Sequence, residues 1–253
     1  MGDILVAENI TKVYGQYTTH PFEALHGISL RMQEGEFICV MGPSGSGKTT
    51  LLNTLSTIDV PTTGKVYIDG QDTKMMSEFT IGSFRHGILG FIFQEFNLLD
   101  NLTVFQNIAI PLSLGGVADE EITRKVNETA KVLGVDPLLE RYPSECSGGQ
   151  RQRIAIARAL VTSPKIIVAD EPTGNLDQQT GHELLELFRK LNDELGVSVL
   201  MVTHDPMIAS YSDRLLYIKD GIISNELHRG EAGQRDYFLK IVEISSTSQQ
   251  MFL

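Results

Sequence analysis

Gly42-Pro43-Ser44-Gly45-Ser46-Gly47-Lys48-Thr49 decides how this chain folds. In the pattern Gly-x-x-x-x-Gly-Lys-Thr the glycines let backbone N–H groups turn inward on phosphate oxygens, and the lysine reaches the β- and γ-phosphates. The Thr49 hydroxyl suits Mg²⁺, and the following helix adds partial positive charge at its N-terminus. The flanks agree. Glu36-Phe37-Ile38-Cys39-Val40-Met41 reads as a buried strand, and Thr50-Leu51-Leu52-Asn53-Thr54-Leu55 as a helix. Strand, loop and helix in that order predict a nucleotide-binding protein.

Outward from the loop, short β-type runs occupy Ile4 to Tyr14 and Ala24 to Gly70, with Asp69-Gly70 as a turn pair. Between Asn97 and Val161 the texture becomes helical. Ile122, Val126, Ala130 and Leu133 recur at helical spacing and stop at Gly134. Lys165 to Ala169 and Val197 to Val202 read as buried strands, separated by a helix through Leu184, Leu187, Phe188, Leu191 and Leu195 that closes at Gly196. This alternation argues for right-handed β-α-β crossovers, hence an α/β core on a mainly parallel sheet with a helical insertion. Residues 225–253 read ambiguously.

Composition narrows the function classes. Over 253 residues, 42% are apolar and 21% charged, as in a globular protein with a sizeable core. A net charge of −11 repels nucleic acid and anionic lipid, so any membrane attachment is expected to run through another protein. No apolar run approaches a bilayer span, and Met1-Gly2-Asp3-Ile4 lacks the basic start of a signal peptide, so a cytoplasmic location is expected. Cys39 and Cys146 are expected to be reduced thiols.

Several further residues carry chemistry. Asp170 and Glu171 end the run Ile166 to Ala169, where ligands bind on open α/β sheets; Asp170 suits the Mg²⁺ shell and Glu171 suits polarising the attacking water. Cys146-Ser147-Gly148-Gly149-Gln150 is a second glycine turn ahead of a helix carrying Arg151, Arg153 and Arg158, and reads as a second anion site. One ATP has no need of both turns from one molecule. The economical arrangement is a two-fold pair of chains in which Ser147 to Gln150 of one caps the γ-phosphate held by the other's Gly42 to Thr50 loop. Gln94 follows the strand-like Gly90-Phe91-Ile92-Phe93 and leads into the helical section. Asp177 follows Gly174-Asn175-Leu176, with helix capping as its alternative role. His204 ends the Val197 strand, where a neutral imidazole suits the γ-phosphate and the attacking water. Tyr14 offers a flat face for adenine.

The order of these elements resembles the ATP-binding cassette family over nearly the whole chain. In that resemblance Tyr14 corresponds to the aromatic adenine-contacting residue, Gly42 to Thr49 to the Walker A motif, Gln94 to the Q-loop and Ser147 to Gln150 to the signature. Ile166 to Glu171 corresponds to Walker B with its catalytic glutamate, Asn175 to Asp177 to the D-loop, and His204 to the switch histidine. It implies a RecA-like P-loop NTPase core of residues 1–95 and 162–224 with an antiparallel N-terminal β subdomain, a helical signature subdomain of residues 96–161 and a C-terminal extension of residues 225–253, all one ATPase domain. Lys48, Gln94, Glu171 and His204 take catalytic roles, Thr49, Gln94 and Asp170 take Mg²⁺, and ATP is the substrate. The signature more often begins with Leu where this chain has Cys146, so a thiol-blocking reagent is expected to slow hydrolysis through that residue.

Leu89 to Gln94, Phe96 to Leu99, Leu102 to Val104 and Asn107 resemble the macrolide-export and lipoprotein-release branch. Leu55-Ser56-Thr57-Ile58-Asp59, Phe84-Arg85 and the tail Gly230 to Ile241 resemble the ATPases of bacitracin-type antimicrobial-peptide resistance transporters. That implies a second copy, a membrane permease and a sensor kinase as partners, at the cytoplasmic face of the membrane. A regulatory cassette that transmits force without moving a substrate is an alternative. ATPases acting on nucleic acid carry long coiled-coil insertions or tandem cassettes, and neither occurs here. No Asn-Lys-x-Asp motif for guanine appears.

Overall fold

Alternation builds the first sheet. In the computed structural model, which describes residues 2–250, strands β1 (Asp3–Tyr14) and β2 (Phe22–Gln33) pair antiparallel, and from Ile28 to Gln33 buried and exposed residues take turns. Such a strand has one face on a core and one toward water. Strand β3 (Phe37–Met41) differs: it is buried at every position, as a central strand covered on both faces must be. Helix α1 (Lys48–Leu55) follows the glycine loop, and β4 (Thr63–Ile68) returns to pair with β1. Asp69 and Gly70, both with positive φ (50° and 73°), turn β4 into β5 (Gln71–Asp72). Two consecutive left-handed residues are what a two-residue hairpin requires, and Asp-Gly is among the sequences that tolerate it.

Helix α2 (Glu78–Ile88) leads to β6 (Leu89–Phe93). Helices α3 (Val104–Leu114), α4 (Asp119–Val132) and α5 (Gly148–Leu160) make up the helical section expected between Asn97 and Val161. Strand β7 (Ile166–Asp170), helix α6 (Gln178–Leu195) and strand β8 (Ser198–Val202) match the strand-helix-strand reading. A short helix α7 (Pro206–Ala209), strands β9 (Arg214–Lys219) and β10 (Ile222–His228), and helix α8 (Gln234–Gln250) complete the chain. Of the ambiguous stretch 225–253, residues 225–250 hold the end of an edge strand and a helix, and residues 251–253 lie outside the described residues.

The chain forms two compact units: residues 1–81 with 189–253, and residues 82–188. The first holds the antiparallel sheet β2-β1-β4-β5 and the strand order β10-β9-β3-β8, in which β3 runs parallel to both β9 and β8. A core of Cys39, Met41, Ala209, Leu215, Tyr217, Tyr237 and Ile241 joins α8 to the strands of this unit. The second unit holds the parallel pair β6-β7 with α3, α4 and α5. There Gly90 lets α5 approach β6 closely, because a Cβ at that position would stand 2.6 Å from the Ala159 carbonyl oxygen. No described helix is long and apolar enough to cross a membrane.

Candidate functional site

In the first unit the loop leaves β3 at Met41 and turns into α1. Gly42 is forced by space: a Cβ there would lie 2.0 Å from the Ile218 carbonyl oxygen. Gly47, with φ 99°, is the N-cap of α1, and a Cβ on it would meet the Ala24 carbonyl oxygen at 2.7 Å. Helix α1 has no side-chain cap and no acidic residue in its first turn. Its first N–H groups therefore keep their hydrogen-bonding capacity, and the positive end of its dipole is left for an external anion. The other helices differ: Thr103 and Gln106 close a capping box on α3, Ser147 and Gln150 on α5, Asp205 caps α7, and α4 opens with Asp119, Glu120 and Glu121.

Inside the loop, Ser46 is 3% exposed and its Oγ has no hydrogen-bond partner among the described residues. Lys48 Nζ donates to the carbonyls of Gly42 at 2.9 Å and Pro43 at 2.8 Å, folding the ammonium back over the cradle. Ser44, Gly45 and Thr49 are exposed, and Thr50 is half-buried. His204 belongs with this loop by topology. Val40 of β3 is in register with Val202 of β8, and Thr203 N–H donates to the Val40 carbonyl at 3.1 Å. Gly42 and His204 thus leave the same ends of two neighbouring parallel strands, where such sheets bind ligands. Tyr14, at the end of β1, keeps 40% of its surface exposed.

The second unit repeats that geometry. Phe93 of β6 is in register with Asp170 of β7, so Gln94 and Glu171 follow adjacent strand ends. Glu171 has φ 45°, a left-handed backbone in a residue with a full side chain. Backbone of that kind costs of order 1–3 kcal/mol and persists where surrounding structure over-determines it. Asn175 Nδ2 donates to the Gln94 carbonyl at 3.0 Å, and a Cβ on Gly174 would meet Gln94 Nε2 at 2.8 Å. Gln94 does not lead straight into a helix. An irregular segment runs to Thr103, with left-handed turns at Phe96 and Asn97. Asn107, fully buried on α3, organises it by accepting from Leu99 N–H and donating to the carbonyls of Leu99, Leu102 and Thr103.

Ser147 and Gln150 serve α5 directly. Ser147 Oγ accepts from Gln150 N–H at 3.3 Å, and Gln150 Oε1 accepts from Ser147 N–H at 2.9 Å, a box that does not use the N–H groups of Gly148 and Gly149. Gly149 packs against α6, where a Cβ would stand 2.5 Å from Thr180 Cγ2. The basic residues expected to favour an anion here have internal work instead. Arg153 pairs with Glu183 at 3.1 Å, Arg158 donates to the carbonyls of Asn97 and Phe96 at 2.5 and 2.8 Å, and Arg151 lies 5.2 Å from the Phe96 ring centroid. Asp177 caps α6, accepting from Thr180 Oγ1 at 2.7 Å and Thr180 N–H at 3.1 Å; those bonds hold its carboxyl below the ordinary range. Cys146 is 8% exposed, its Sγ 3.6 Å from the Tyr142 carbonyl, and burial pushes its thiol up.

Among the described residues no cluster of three or more His, Cys, Asp and Glu could hold a metal. By donor chemistry alone, the Thr49 hydroxyl, the Gln94 amide oxygen and the Asp170 carboxylate are each of the hard oxygen type that Mg²⁺ takes beside phosphate oxygens and water. Three residues with work at these sites were not singled out from the sequence for it. Asn175 acts through the carbonyl of Gln94, far along the chain, Asn107 acts through the carbonyls of the irregular segment just ahead of its own helix, and Lys12 contacts Tyr14 only because β1 brings them to one face.

The family model described as ABC transporter matches residues 25–174. The bacitracin export ATP-binding protein BceA of Halalkalibacterium halodurans is 45% identical over 240 residues, covering 95% of this chain and 94% of its own. A solved dimer of the ATP-binding cassette MJ0796, in a post-hydrolysis state bound to ADP and Pi, superposes with TM-score 0.81 at 40% identity over 88% of this chain and 98% of its own. The structure of cbiO1 from Clostridium perfringens, part of the ABC transporter complex cbiONQ, gives TM-score 0.82 at 26% identity over the full length of both chains.

Proposed function

The chain belongs to the ABC transporter family, as the ATP-binding and ATP-hydrolysing subunit of such a transporter, and from that premise we propose that it works in pairs to drive a membrane permease conferring resistance to bacitracin-like peptides. The observation that supports the nucleotide role best is α1. A helix N-terminus with neither a side-chain cap nor an acidic first turn, preceded by Gly42 and Gly47, which have no room for a Cβ, offers several N–H donors and a dipole to a polyphosphate.

In this reading Gly42, Ser44, Gly45, Ser46, Gly47 and Thr50 cradle the phosphates, and Lys48 exchanges its two loop carbonyls for the β- and γ-phosphates. Thr49, Gln94 and Asp170 are the oxygen donors that would hold Mg²⁺, which would supply neutralisation of the charge on the phosphate oxygens. Glu171 accepts a proton from water as its oxygen attacks the γ-phosphorus and the bond to the β-phosphate oxygen breaks, releasing ADP and phosphate. His204 and Gln94 orient the water and the γ-phosphate. Ser147, Gly148, Gly149, Gln150 and Asp177 face the nucleotide held by a second copy. Each γ-phosphate then bridges two chains, and its departure removes contacts on both sides at once.

The relative named for bacitracin export aligns with 95% of this chain, which supports the peptide-resistance reading over lipoprotein release or macrolide export. The protein acts at the cytoplasmic face of the membrane, carried there by the permease; a sensor-kinase partner follows from the resemblance alone. The test is to isolate the chain with its membrane partner, place the complex in vesicles and measure ATP hydrolysis with bacitracin added. Several-fold stimulation is expected. Stimulation by a macrolide or a lipoprotein instead, or by none of the three, overturns the substrate assignment.

A further inference from the structure

The segment Leu55 to Asp59, singled out in the sequence but without a part in the mechanism above, ends in a charge cluster of its own. Asp59 lies just beyond α1 and its N–H donates to the Asn53 carbonyl at 3.0 Å. Asp59 Oδ1 accepts from Lys12 Nζ at 2.5 Å and from Val60 N–H at 2.8 Å. Asp59 Oδ2 accepts the Tyr14 hydroxyl at 3.2 Å. Lys12 Nζ also donates to the Val60 carbonyl at 2.8 Å and stands 5.2 Å from the centroid of the Tyr14 ring. Lys12 and Tyr14 are two residues apart on one strand and so share a face.

We propose that Lys12 and Asp59 are positioning residues for the nucleobase, which hold the plane of the Tyr14 ring, back one of its faces with a cation and present the other to adenine. The inference rests on reading Tyr14 as the adenine platform. An unrestrained tyrosine loses rotamer freedom when a base stacks on it, and a ring fixed in advance avoids that cost. Here the ring is held at two points: by its hydroxyl, and by an ammonium against its negative quadrupole. Burial pushes the Asp59 carboxyl up, but the Lys12 ammonium, the Val60 N–H and the Tyr14 hydroxyl together hold it below the ordinary range, so the tie is charged at neutral pH. Asp59 is anchored on the far end of the helix whose first turn cradles phosphate, so one short rigid element sets the spacing between base and phosphates.

Calorimetric binding of ATP and of inorganic tripolyphosphate to the full chain separates the alternatives. Asp59→Ala and Lys12→Met are each expected to weaken ATP binding by about three- to tenfold, the worth of one hydrogen bond or charge contact, with tripolyphosphate affinity unchanged. Tyr14→Ala is expected to weaken ATP at least as much, and Asp59→Ala to add nothing in that background. If Tyr14→Ala loses ATP affinity while both other variants bind as the parent does, the clamp is refuted and the platform stands. If Tyr14→Ala binds ATP normally, the platform reading fails and the clamp with it. An equal loss for ATP and tripolyphosphate in either clamp variant marks a support for the loop and overturns the assignment. Should Asp59→Ala fail to fold, Lys12→Met decides.

Discussion

Glu171 carries a left-handed backbone directly after a buried parallel strand, and the strain goes with the position rather than with the carboxylate. Replacing it by glutamine therefore leaves the local fold unchanged and removes only the proton acceptor. Glu171→Gln is expected to bind ATP as before, to lose about 10²- to 10⁴-fold in hydrolysis and to accumulate as an ATP-dependent dimer, read by turnover and size-exclusion chromatography. Normal turnover would take the general-base role away from this residue. Residues of this kind were legible in the sequence because their chemistry is contiguous: the glycine loop and the acidic pair each lie within a few positions of one another. Lys12 and Asp59 were not legible as a pair, since their contact exists only once β1 and the end of α1 are packed together. Left-handed Phe96 and Asn97 were equally hidden; neither is the glycine that would announce such a turn.

Among the elements, strands β3, β7 and β8 were readable as unbroken apolar runs, and α4 as a helical repeat ending at a glycine of positive φ. Helix α8 was not, because two fully buried residues, Tyr237 and Ile241, do not make a visible stripe. Helix α1 follows a glycine loop, whereas Gly148 and Gly149, read from the sequence as a turn ahead of a helix, form the first turn of α5 itself, and of the two helices only α5 is capped by a side chain. Cys146 sits just ahead of that cap with its sulfur turned inward, so the expected inhibition by a thiol reagent acquires a rate limit. Burial raises the thiol, which shrinks the thiolate fraction near neutrality. Labelling of Cys146 at pH 8 is expected to be at least about tenfold slower than in the urea-unfolded chain, and to keep accelerating beyond the pH at which an ordinary thiol levels off. Hydrolysis then falls only in step with labelling. Rapid modification at neutral pH would show the thiol to be open.

At the scale of the whole molecule, the 59% of the chain matched by the family model would be 150 of 253 residues, and the tail lies beyond it. That tail nevertheless completes a core in the first unit. Tyr237 is fully buried, packs with Cys39 and Met41, and donates its hydroxyl to the Leu227 carbonyl at 3.3 Å; burial pushes its phenol up to about 12. Tyr237→Ala is expected to cost about 3–5 kcal/mol and lower the melting temperature by about 6–15 °C, whereas Tyr237→Phe loses about 1 kcal/mol. Calorimetry of the two variants checks both values, and an unchanged melting temperature for Tyr237→Ala would make α8 an appendage.

The meeting of Tyr237 and Ile241 with Cys39 and Met41 also bears on biosynthesis. A nascent chain exposes the sticky side of its central strand from early in translation until the ribosome has delivered residues from nearly the other end. Throughout that interval a holdase chaperone has the same greasy surface to grip as the helix that eventually covers it.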